Sequence, residues 1–164
     1  MTNYDVVFDS FLDLIVRDTT FFIKNDNKDI EKLINETRKL KLLKRAVSNM
    51  MCVNDRFDFE INFMNIMDDN NLCFTQELTL IEVKLLAYYM WISYIEEEVV
   101  LRLKALKTLG FSDDEIKTFS PANSLKEFNA TFDSLKKTTD NKVREYKRRG
   151  RLDFKNKMHK FNFE

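Results

Sequence analysis

The chain has 164 residues and a net charge of zero, so the whole protein is no general binder of polyanions. Hydrophobic residues make up 44% of it, which is enough for a core, and one domain is the default at this length. It contains two glycines and one proline. Average proteins have about 7% and 5% of these residues, so tight turns must be few and helices are favoured.

The first predicted helix begins at Thr2-Asn3-Tyr4-Asp5, which places an acidic residue in the first helical turn. Asp9 and Asp13 interrupt the apolar stretch that follows, so the stretch is not typical of a secretory signal. Its apolar residues recur at three- and four-residue spacings, as on one face of a helix: Val7, Phe8, Phe11, Leu12, Ile15 and Val16.

A second helix is predicted from Lys28 or Asp29 to Met51. Its apolar stripe consists of Ile30, Leu33, Ile34, Leu40, Leu43, Val47, Met50 and Met51. It also carries a basic cluster of Arg38, Lys39, Lys41, Lys44 and Arg45. Such a cluster could contact nucleic acid, but a solvated helix face is the commoner case.

A small β-hairpin is predicted within residues 57–74. Phe57–Phe63 alternates apolar and polar residues, which indicates a strand. Asp68–Asn71 is a turn cluster, and Leu72–Thr75 could return as the second strand. Because a lone hairpin is marginally stable in water, this one must lie on the helices or be completed by another subunit.

A long hydrophobic helix is predicted from Thr79 to Leu109. Thr79 and Glu82 form a capping box at its start, and Gly110 follows its end. It is apolar on nearly all sides over Leu85–Ile92, which places it in the middle of a domain. That run has only eight residues, whereas a membrane span needs about 20. The prediction is therefore an all-α helical bundle around a central hydrophobic helix.

The last predicted helix begins at Ser120-Pro121, after a short helical turn that starts at Ser112 and ends near Phe119. It ends at Gly150. Its apolar stripe recurs at three- and four-residue spacings: Leu125, Phe128, Phe132, Leu135, Thr139, Val143 and Tyr146. The domain is therefore predicted to span residues 1–150. Residues 151–164 would form an extended tail that orders only against a partner.

The sequence offers little chemistry. The single histidine, His159, lies in the predicted tail, which removes triads and His-based zinc sites. With glycine only at positions 110 and 150, no phosphate-binding loop exists. Cys52 and Cys73 form neither a metal-binding nor a disulfide pattern, so reduced thiols and an intracellular protein are predicted. We therefore expect no enzyme activity, no metal and no cofactor.

Charge is distributed unevenly along the chain. Met1–Glu31 holds seven acidic and three basic residues, a net charge of −4, while Asn141–Glu164 holds nine basic and three acidic residues, a net charge of +6. Opposite poles suit subunits that meet side by side in a ring, or a basic end that meets an acidic partner. The alternative is that the acidic and basic segments form two faces exposed to solvent, without a partner of opposite charge.

The basic and aromatic tail permits two interpretations. It could bind single-stranded nucleic acid through base stacking and phosphate contacts. Its alternation of apolar and charged residues also suits docking to a protein, including strand addition to a partner sheet. We favour docking.

Several short patches form an ordered set along the chain: Tyr4–Leu12; Phe74, Leu78, Thr79, Glu82, Leu86, Ala87 and Met90; Phe119–Glu127; and a long basic helix that ends at Gly150. These patches resemble the helical neck proteins of tailed bacteriophages, the head–tail adaptor (head completion or connector) family. Together they touch nearly the whole chain, but it departs from the family pattern between Met51 and Leu72, where it is longer and more aromatic.

The resemblance implies a structural virion protein, made in the host cytoplasm and located in the phage neck. Copies would form a ring, usually of twelve, beneath the portal protein and above the next neck or tail-completion protein. DNA would pass through the lumen, and no membrane would be involved. Adaptors of this family dock to the portal through extended terminal segments.

Two sets of residues follow from this hypothesis. The expected portal anchors in the tail are Leu152, Phe154, Phe161 and Phe163. The expected inter-subunit charge contacts are Asp5, Asp9 and Asp13 with Arg144, Arg148 and Arg149. One alternative is a nucleic-acid-binding regulatory protein that uses the basic C-terminal helix and tail. The other is a metal-dependent enzyme, for which the sequence offers little support.

Overall fold

The computed structural model describes residues 1–15, 21–22, 24–53, 59–108 and 120–150, with side chains described in these ranges except at 99–108 and 120–128. These ranges are mostly helical and include a small antiparallel sheet. The elements in chain order are β1 (Thr2–Asn3), α1 (Tyr4–Leu14), α2 (Lys28–Met51), β2 (Met67–Asp68), β3 (Cys73–Phe74), α3 (Leu80–Thr108) and α4 (Ser120–Arg149).

Helix α1 confirms the first predicted helix. The Asn3 side chain caps it by accepting a hydrogen bond from the backbone N–H of Asp5, at 3.1 Å. The apolar spacing read from the sequence faces the core, since Val7, Phe8 and Phe11 are buried.

Helix α2 has the predicted bounds. The Asn27 side chain accepts hydrogen bonds from the N–H groups of Asp29 and Ile30, which fixes the start of the helix. Its buried residues include Leu42, Leu43, Ala46, Val47 and Met50. The prediction was wrong for Ile30 and Leu33, which are 46% and 64% exposed. The first two turns carry no buried side chain, so the apolar pattern extends past the core.

Helix α3 begins with the predicted capping box. The Thr79 N–H donates to Oε2 of Glu82 at 2.5 Å, and the Glu82 N–H donates to the Thr79 hydroxyl at 3.4 Å. The helix contacts α1, α2 and α4. Its buried apolar side chains are Val83, Leu85, Leu86, Ala87, Tyr89, Met90, Ile92 and Tyr94. None of the described helices is long and apolar enough to cross a membrane.

Three consecutive glutamates on α3 connect it to two neighbouring helices. Glu96 pairs with Lys136 of α4 at 3.3 Å. Glu97 pairs with Arg45 of α2 at 3.9 Å, and Glu98 pairs with Arg38 of α2 at 3.5 Å. Successive residues point about 100° apart around a helix, so one short run can reach different partners.

Both α2 and α4 run antiparallel to α3. The early residue Arg38 of α2 meets Glu98 late in the described part of α3, while Asn49 meets Ser93. On α4, Lys136 meets Glu96 and Tyr146 meets Glu82 at the start of α3. The end of α4 and the start of α3 therefore lie at the same end of the molecule.

The small sheet lies at this end, with strand order β1-β3-β2 and both pairings antiparallel. Phe74 is the register partner of Thr2 on one side and of Met67 on the other. The predicted hairpin therefore exists only as β2 and β3. Its completing strand comes from the N-terminus of the same chain.

The strand predicted over Phe57–Phe63 is wrong for residues 59–63, which form a bend and a turn; residues 57–58 lie outside the described ranges. The Asn62 side chain accepts from the N–H groups of Met64 and Asn65, and this local turn replaces strand pairing. Ile61 and Phe63 are buried in the core. The period-2 pattern thus reflects alternate burial in an irregular segment.

The predicted turn at Asp68–Asn71 is confirmed. Oδ1 of Asp68 accepts hydrogen bonds from the N–H groups of Asn70 and Asn71, at 3.0 and 3.2 Å. Leu72 follows with a positive φ of 50°. These contacts join β2 to β3.

Helix α4 begins at Ser120 and ends before Gly150, as predicted. Gly150 has a φ of +76°, and its N–H donates to the Tyr146 carbonyl. Thr139, Val143 and Tyr146 are buried, with Phe132 and Leu135 half-buried, in agreement with the predicted stripe. The short turn predicted at 112–119 and the tail at 151–164 lie outside the described residues.

Candidate interaction surfaces

The three acidic residues predicted to contact a neighbour lie on one outward side of α1. Asp5, Asp9 and Asp13 are all exposed, four residues apart. Four residues advance a helix by about 6 Å, so the three carboxylates form a row opposite the buried side chains. We call this row the acidic face of α1.

The basic residues predicted for the same contact do not all lie together. Arg144 and Arg148 are exposed on the side of α4 opposite its buried stripe, whereas Arg149 pairs with Glu145 of its own helix at 2.5 Å. Lys137 is exposed seven residues before Arg144, a spacing that places both on the same side. Lys137, Arg144 and Arg148 form the basic face of α4. Its spacing of seven and four was readable from the sequence.

The four predicted portal anchors lie outside the described residues. They are Leu152, Phe154, Phe161 and Phe163. His159 lies there as well. The structure places only the residue that precedes the tail, Gly150.

Most of the basic cluster on α2 has partners within the chain. Arg45 and Arg38 pair with Glu97 and Glu98 of α3. Lys44 pairs with Asp69 at 2.5 Å. The ammonium of Lys39 lies over the ring of Phe8, at 5.2 Å from its centroid. These side chains join the helices together, which argues against a nucleic-acid surface on α2.

Arg38 has the densest set of contacts in this cluster. Its guanidinium lies over the rings of Phe21 and Tyr94, at 5.0 and 5.4 Å from their centroids. It also donates a hydrogen bond to the Phe21 carbonyl at 2.5 Å and pairs with Glu98. The side chain therefore holds the segment at Phe21 against α2 and α3. The sequence shows no signal for this arrangement.

Polar contacts also join α3 to α4. The Tyr146 hydroxyl donates to Oε1 of Glu82, which is 0% exposed. The Tyr89 hydroxyl donates to Oδ1 of Asp140 at 2.5 Å. Burial, followed by the hydrogen bond to Asp140 and its negative charge, raises the pKa of Tyr89 well above its ordinary value. The raised pKa keeps the Tyr89 hydroxyl a neutral donor at physiological pH, and both contacts position the two helices.

The N-terminus is attached in a similar way. The Tyr4 hydroxyl donates to Oδ1 of Asp69 at 3.3 Å, and the other oxygen of that carboxylate pairs with Lys44. Burial, with the charge and hydrogen bond of Asp69, raises the pKa of Tyr4 well above its ordinary value. The Thr2 hydroxyl accepts from the Leu78 N–H at 2.8 Å. The first residues of the chain are thus built into the fold.

Within the described ranges, no three His, Cys, Asp or Glu side chains come together in a way that could hold a metal ion. Charged residues in these ranges either form pairs between helices or lie in exposed rows on helix surfaces. The exposed rows can form contacts with other proteins.

No protein-family model, curated protein or solved structure matches this chain.

Proposed function

We propose that this protein is a head–tail adaptor of a tailed bacteriophage, a structural virion protein that forms a ring in the neck. The ring would lie between the portal protein and the next neck or tail-completion protein, with DNA passing through its lumen. The resemblance of its sequence patches to that family supports the proposal. The observation that carries it is the pair of oppositely charged outward faces on α1 and α4.

A ring of identical subunits requires two different, complementary surfaces on each copy, since neighbours meet head to tail. The acidic face of α1 and the basic face of α4 meet this requirement. Each lies opposite the buried side of its helix, so each is accessible to a neighbour. We propose Asp5, Asp9 and Asp13 on one copy, with Arg144 and Arg148 on the next, as the ring contacts. Lys137 extends the basic side, and Arg149 is already paired with Glu145.

A ring subunit also needs a stable core. Helix α3 contacts the other three helices of the described ranges, and the buried apolar residues there form one continuous cluster. We propose that this bundle around a central hydrophobic helix supports an extended docking tail at residues 151–164. The portal anchors would be Leu152, Phe154, Phe161 and Phe163. Twelve copies is the number that the family resemblance implies.

The test is the mass of the full-length protein with and without the suspected portal ring, by native mass spectrometry. We expect a many-copy ring on the portal. A chain lacking Arg151–Glu164 should retain the helical circular dichroism of the bundle and lose portal binding. Intact portal binding after that deletion would contradict the anchor assignment.

Charge exchange tests the ring contact separately. Asp9→Lys or Arg144→Glu alone should prevent ring formation, and the two together should restore it in part, because opposite charges meet again. Lys41→Glu, an exposed change of the same kind on α2, is the matched control and should leave the ring intact. Loss of the ring in that control would show that net charge, and not the contact, is responsible.

The basic face of α4 also favours a second candidate, a nucleic-acid-binding regulatory protein. Three exposed cations on one side of a helix suit contacts to successive phosphates. In that case DNA affinity should fall steeply as the salt concentration rises, and the protein should not bind the portal. Substituting Arg144 should then weaken DNA binding while leaving the oligomeric state of the protein unchanged.

A further inference from the structure

The first half of α2 carries an apolar row on its outward side. Ile30 and Leu33 are 46% and 64% exposed, Thr37 is exposed, and Leu40 is half-buried. These residues recur at spacings of three, four and three, which is the a and d pattern of a coiled-coil heptad. We call this row of Ile30, Leu33, Thr37 and Leu40 the outer seam of α2.

The outer seam points away from the core. Helix α2 buries Leu42, Ala46 and Met50, and at about 100° per residue these three lie on the side opposite the seam. The seam ends at Lys44, the next residue of the same heptad row, which pairs with Asp69. A contiguous row of exposed apolar side chains is typical of an interaction surface.

The one hydroxyl in the outer seam has a partner inside its own helix. The Thr37 hydroxyl donates a hydrogen bond to the Leu33 carbonyl at 2.7 Å. Covering the seam with another helix would therefore bury no unpaired donor, which is what makes the burial of a hydroxyl unfavourable. An apolar helix face is a suitable occupant.

The charged residues beside the seam favour a second copy of this chain as that occupant. Glu36 stands at the g position of the heptad, Lys41 stands at the e position five residues later, and both are exposed. In a parallel pair of identical helices, each g residue faces the e residue five positions later on the other helix. Glu36 of each copy would thus meet Lys41 of the other. Glu36 also pairs with Lys32 of its own helix at 3.8 Å, and a carboxylate can accept from both partners.

The same charges disfavour an antiparallel pair. In that orientation g residues face g residues, and both g residues of the seam, Asp29 and Glu36, are acidic. Like charges brought together in this way destabilise the contact. The pattern therefore favours a parallel pair with two-fold symmetry, in which the same surface of both copies meets and assembly closes at two copies.

We infer that two copies of the free protein associate in parallel through the outer seam of α2. Ile30, Leu33 and Leu40 of both copies pack across the two-fold axis, with a Glu36–Lys41 ion pair on each side. The contact spans about three helical turns, so the association is weak and depends on concentration. The seam is separate from the acidic face of α1 and the basic face of α4, and the contact does not depend on the adaptor proposal.

Sedimentation equilibrium of the full chain without a portal tests the inference. We expect a monomer–dimer equilibrium that shifts to the dimer as the protein concentration rises. Leu33→Lys should raise the dissociation constant at least about tenfold, because each dimer loses two leucine side chains from the contact. Leu80→Lys replaces a leucine that is 50% exposed outside the seam and should leave the constant unchanged. A monomer at every concentration, or equal effects of the two variants, would overturn the inference.

Charge variants test the ion pairs beside the seam. Glu36→Lys should weaken the dimer several-fold, and Glu36→Lys with Lys41→Glu should restore it, because opposite charges meet again. Lys32→Ala removes the partner of Glu36 within the helix and should leave the dimer intact, which separates the two contacts of Glu36. No recovery in the double variant would contradict the parallel pairing.

Disulfide crosslinking measures the orientation. Cys52→Ser removes the exposed thiol, and Cys73 is buried, so Thr37→Cys then supplies one reactive thiol beside the two-fold axis. Mild oxidation should link two copies through it, whereas Thr75→Cys, exposed outside the seam, should give no linked dimer. Association without a crosslink at position 37 would overturn the parallel arrangement. Asp9→Lys, which should prevent ring formation, should leave this dimer unchanged, so the two proposals fail separately.

Discussion

The hydroxyl of Tyr146 near the end of α4 donates a hydrogen bond to Glu82, the fully buried carboxylate that also caps the start of α3. The Glu82 side chain therefore caps the start of α3 and also attaches α4 to it. The contact joins residues 64 positions apart in the sequence.

Removing the Tyr146 hydroxyl should lower the free energy of unfolding. Tyr146→Phe keeps the ring and takes one donor from a buried carboxylate oxygen, which costs about 1–3 kcal/mol. Urea unfolding followed by circular dichroism measures the change. Tyr88→Phe, a half-buried tyrosine on α3, is the matched control and should stay within about 0.5 kcal/mol of the wild type. Equal losses in both variants would contradict the role of the Glu82 contact.

Stability should fall in alkaline solution because of Tyr89. Its folded-state pKa is raised above the unfolded value of 10.0, so the folded state holds its proton more tightly. The stabilisation is complete below pH 10 and declines as the pH rises further. Urea unfolding at pH 8 to 11 should show this decline, and Tyr89→Phe should make it shallower.

Tyr4 should contribute to the same alkaline decline for the same reason, since its pKa is also raised. The double variant Tyr4→Phe with Tyr89→Phe should therefore have the shallowest dependence on pH. An unchanged slope in the double variant would show that these two hydroxyls do not control the transition.

Gly150 should resist replacement by residues with a Cβ. Its φ of +76° lies in the left-handed region, where an L side chain costs about 1–2 kcal/mol. Gly150→Ala should lower the free energy of unfolding by this amount, and Gly150→Asn by less, because asparagine tolerates this conformation better. An ideal Cβ on Gly150 would lie 2.6 Å from Oε1 of Glu60. Adding Glu60→Ala to Gly150→Ala should therefore recover only the part of the lost stability that comes from this close approach. Full recovery in that double variant would mean that backbone conformation contributes nothing.

Arg38 should be more important for stability than its neighbours on α2. Arg38→Lys removes the planar group that lies over Phe21 and Tyr94 and donates to the Phe21 carbonyl, and we expect a loss of about 1–3 kcal/mol. Lys41→Met, on the exposed side of the same helix, should change the free energy of unfolding by at most about 0.5 kcal/mol. Thermal and urea unfolding of the two variants would measure the difference. Similar effects would mean that the contacts of Arg38 add little.

Ring formation should depend on salt concentration if the acidic and basic faces meet. Screening at 1 M salt shortens the Debye length to about 3 Å, which weakens contacts between exposed charges. Sedimentation of the portal-bound assembly at low and high salt would measure this. A ring that is equally stable under both conditions would argue against contacts through Asp5, Asp9 and Asp13.

Local signals predicted the helices well. The capping box at Thr79 and Glu82 and the glycine at position 150 act through contacts with residues close in sequence. The helix bounds could therefore be read from the residues around them. The apolar stripe of α4 was readable for the same reason.

Long-range contacts were not predictable in this way. Strand β1 forms because Thr2 pairs with Phe74, more than 70 positions away, and no local pattern marks it. The alternation in residues 59–63 has the period of a strand, yet the turn at Asn62 and burial against the core decide the outcome. Of the candidate surfaces, the sequence named Asp5, Asp9 and Asp13, which are exposed on one side of α1, whereas Arg149 was assigned without knowledge of its pairing with Glu145.

The arrangement of the helices has a consequence for synthesis on the ribosome. In the described part of the chain, α1 and α2 bury their apolar sides chiefly against α3, which is made after both of them. β1 likewise cannot pair until Cys73 and Phe74 have been synthesised. Until α3 emerges from the exit tunnel, the nascent chain has no core and exposes the apolar sides of two helices, the condition in which chaperones are recruited and aggregation begins. Slower translation before α3 has emerged from the tunnel would prolong that exposure, whereas slower translation after its emergence would not.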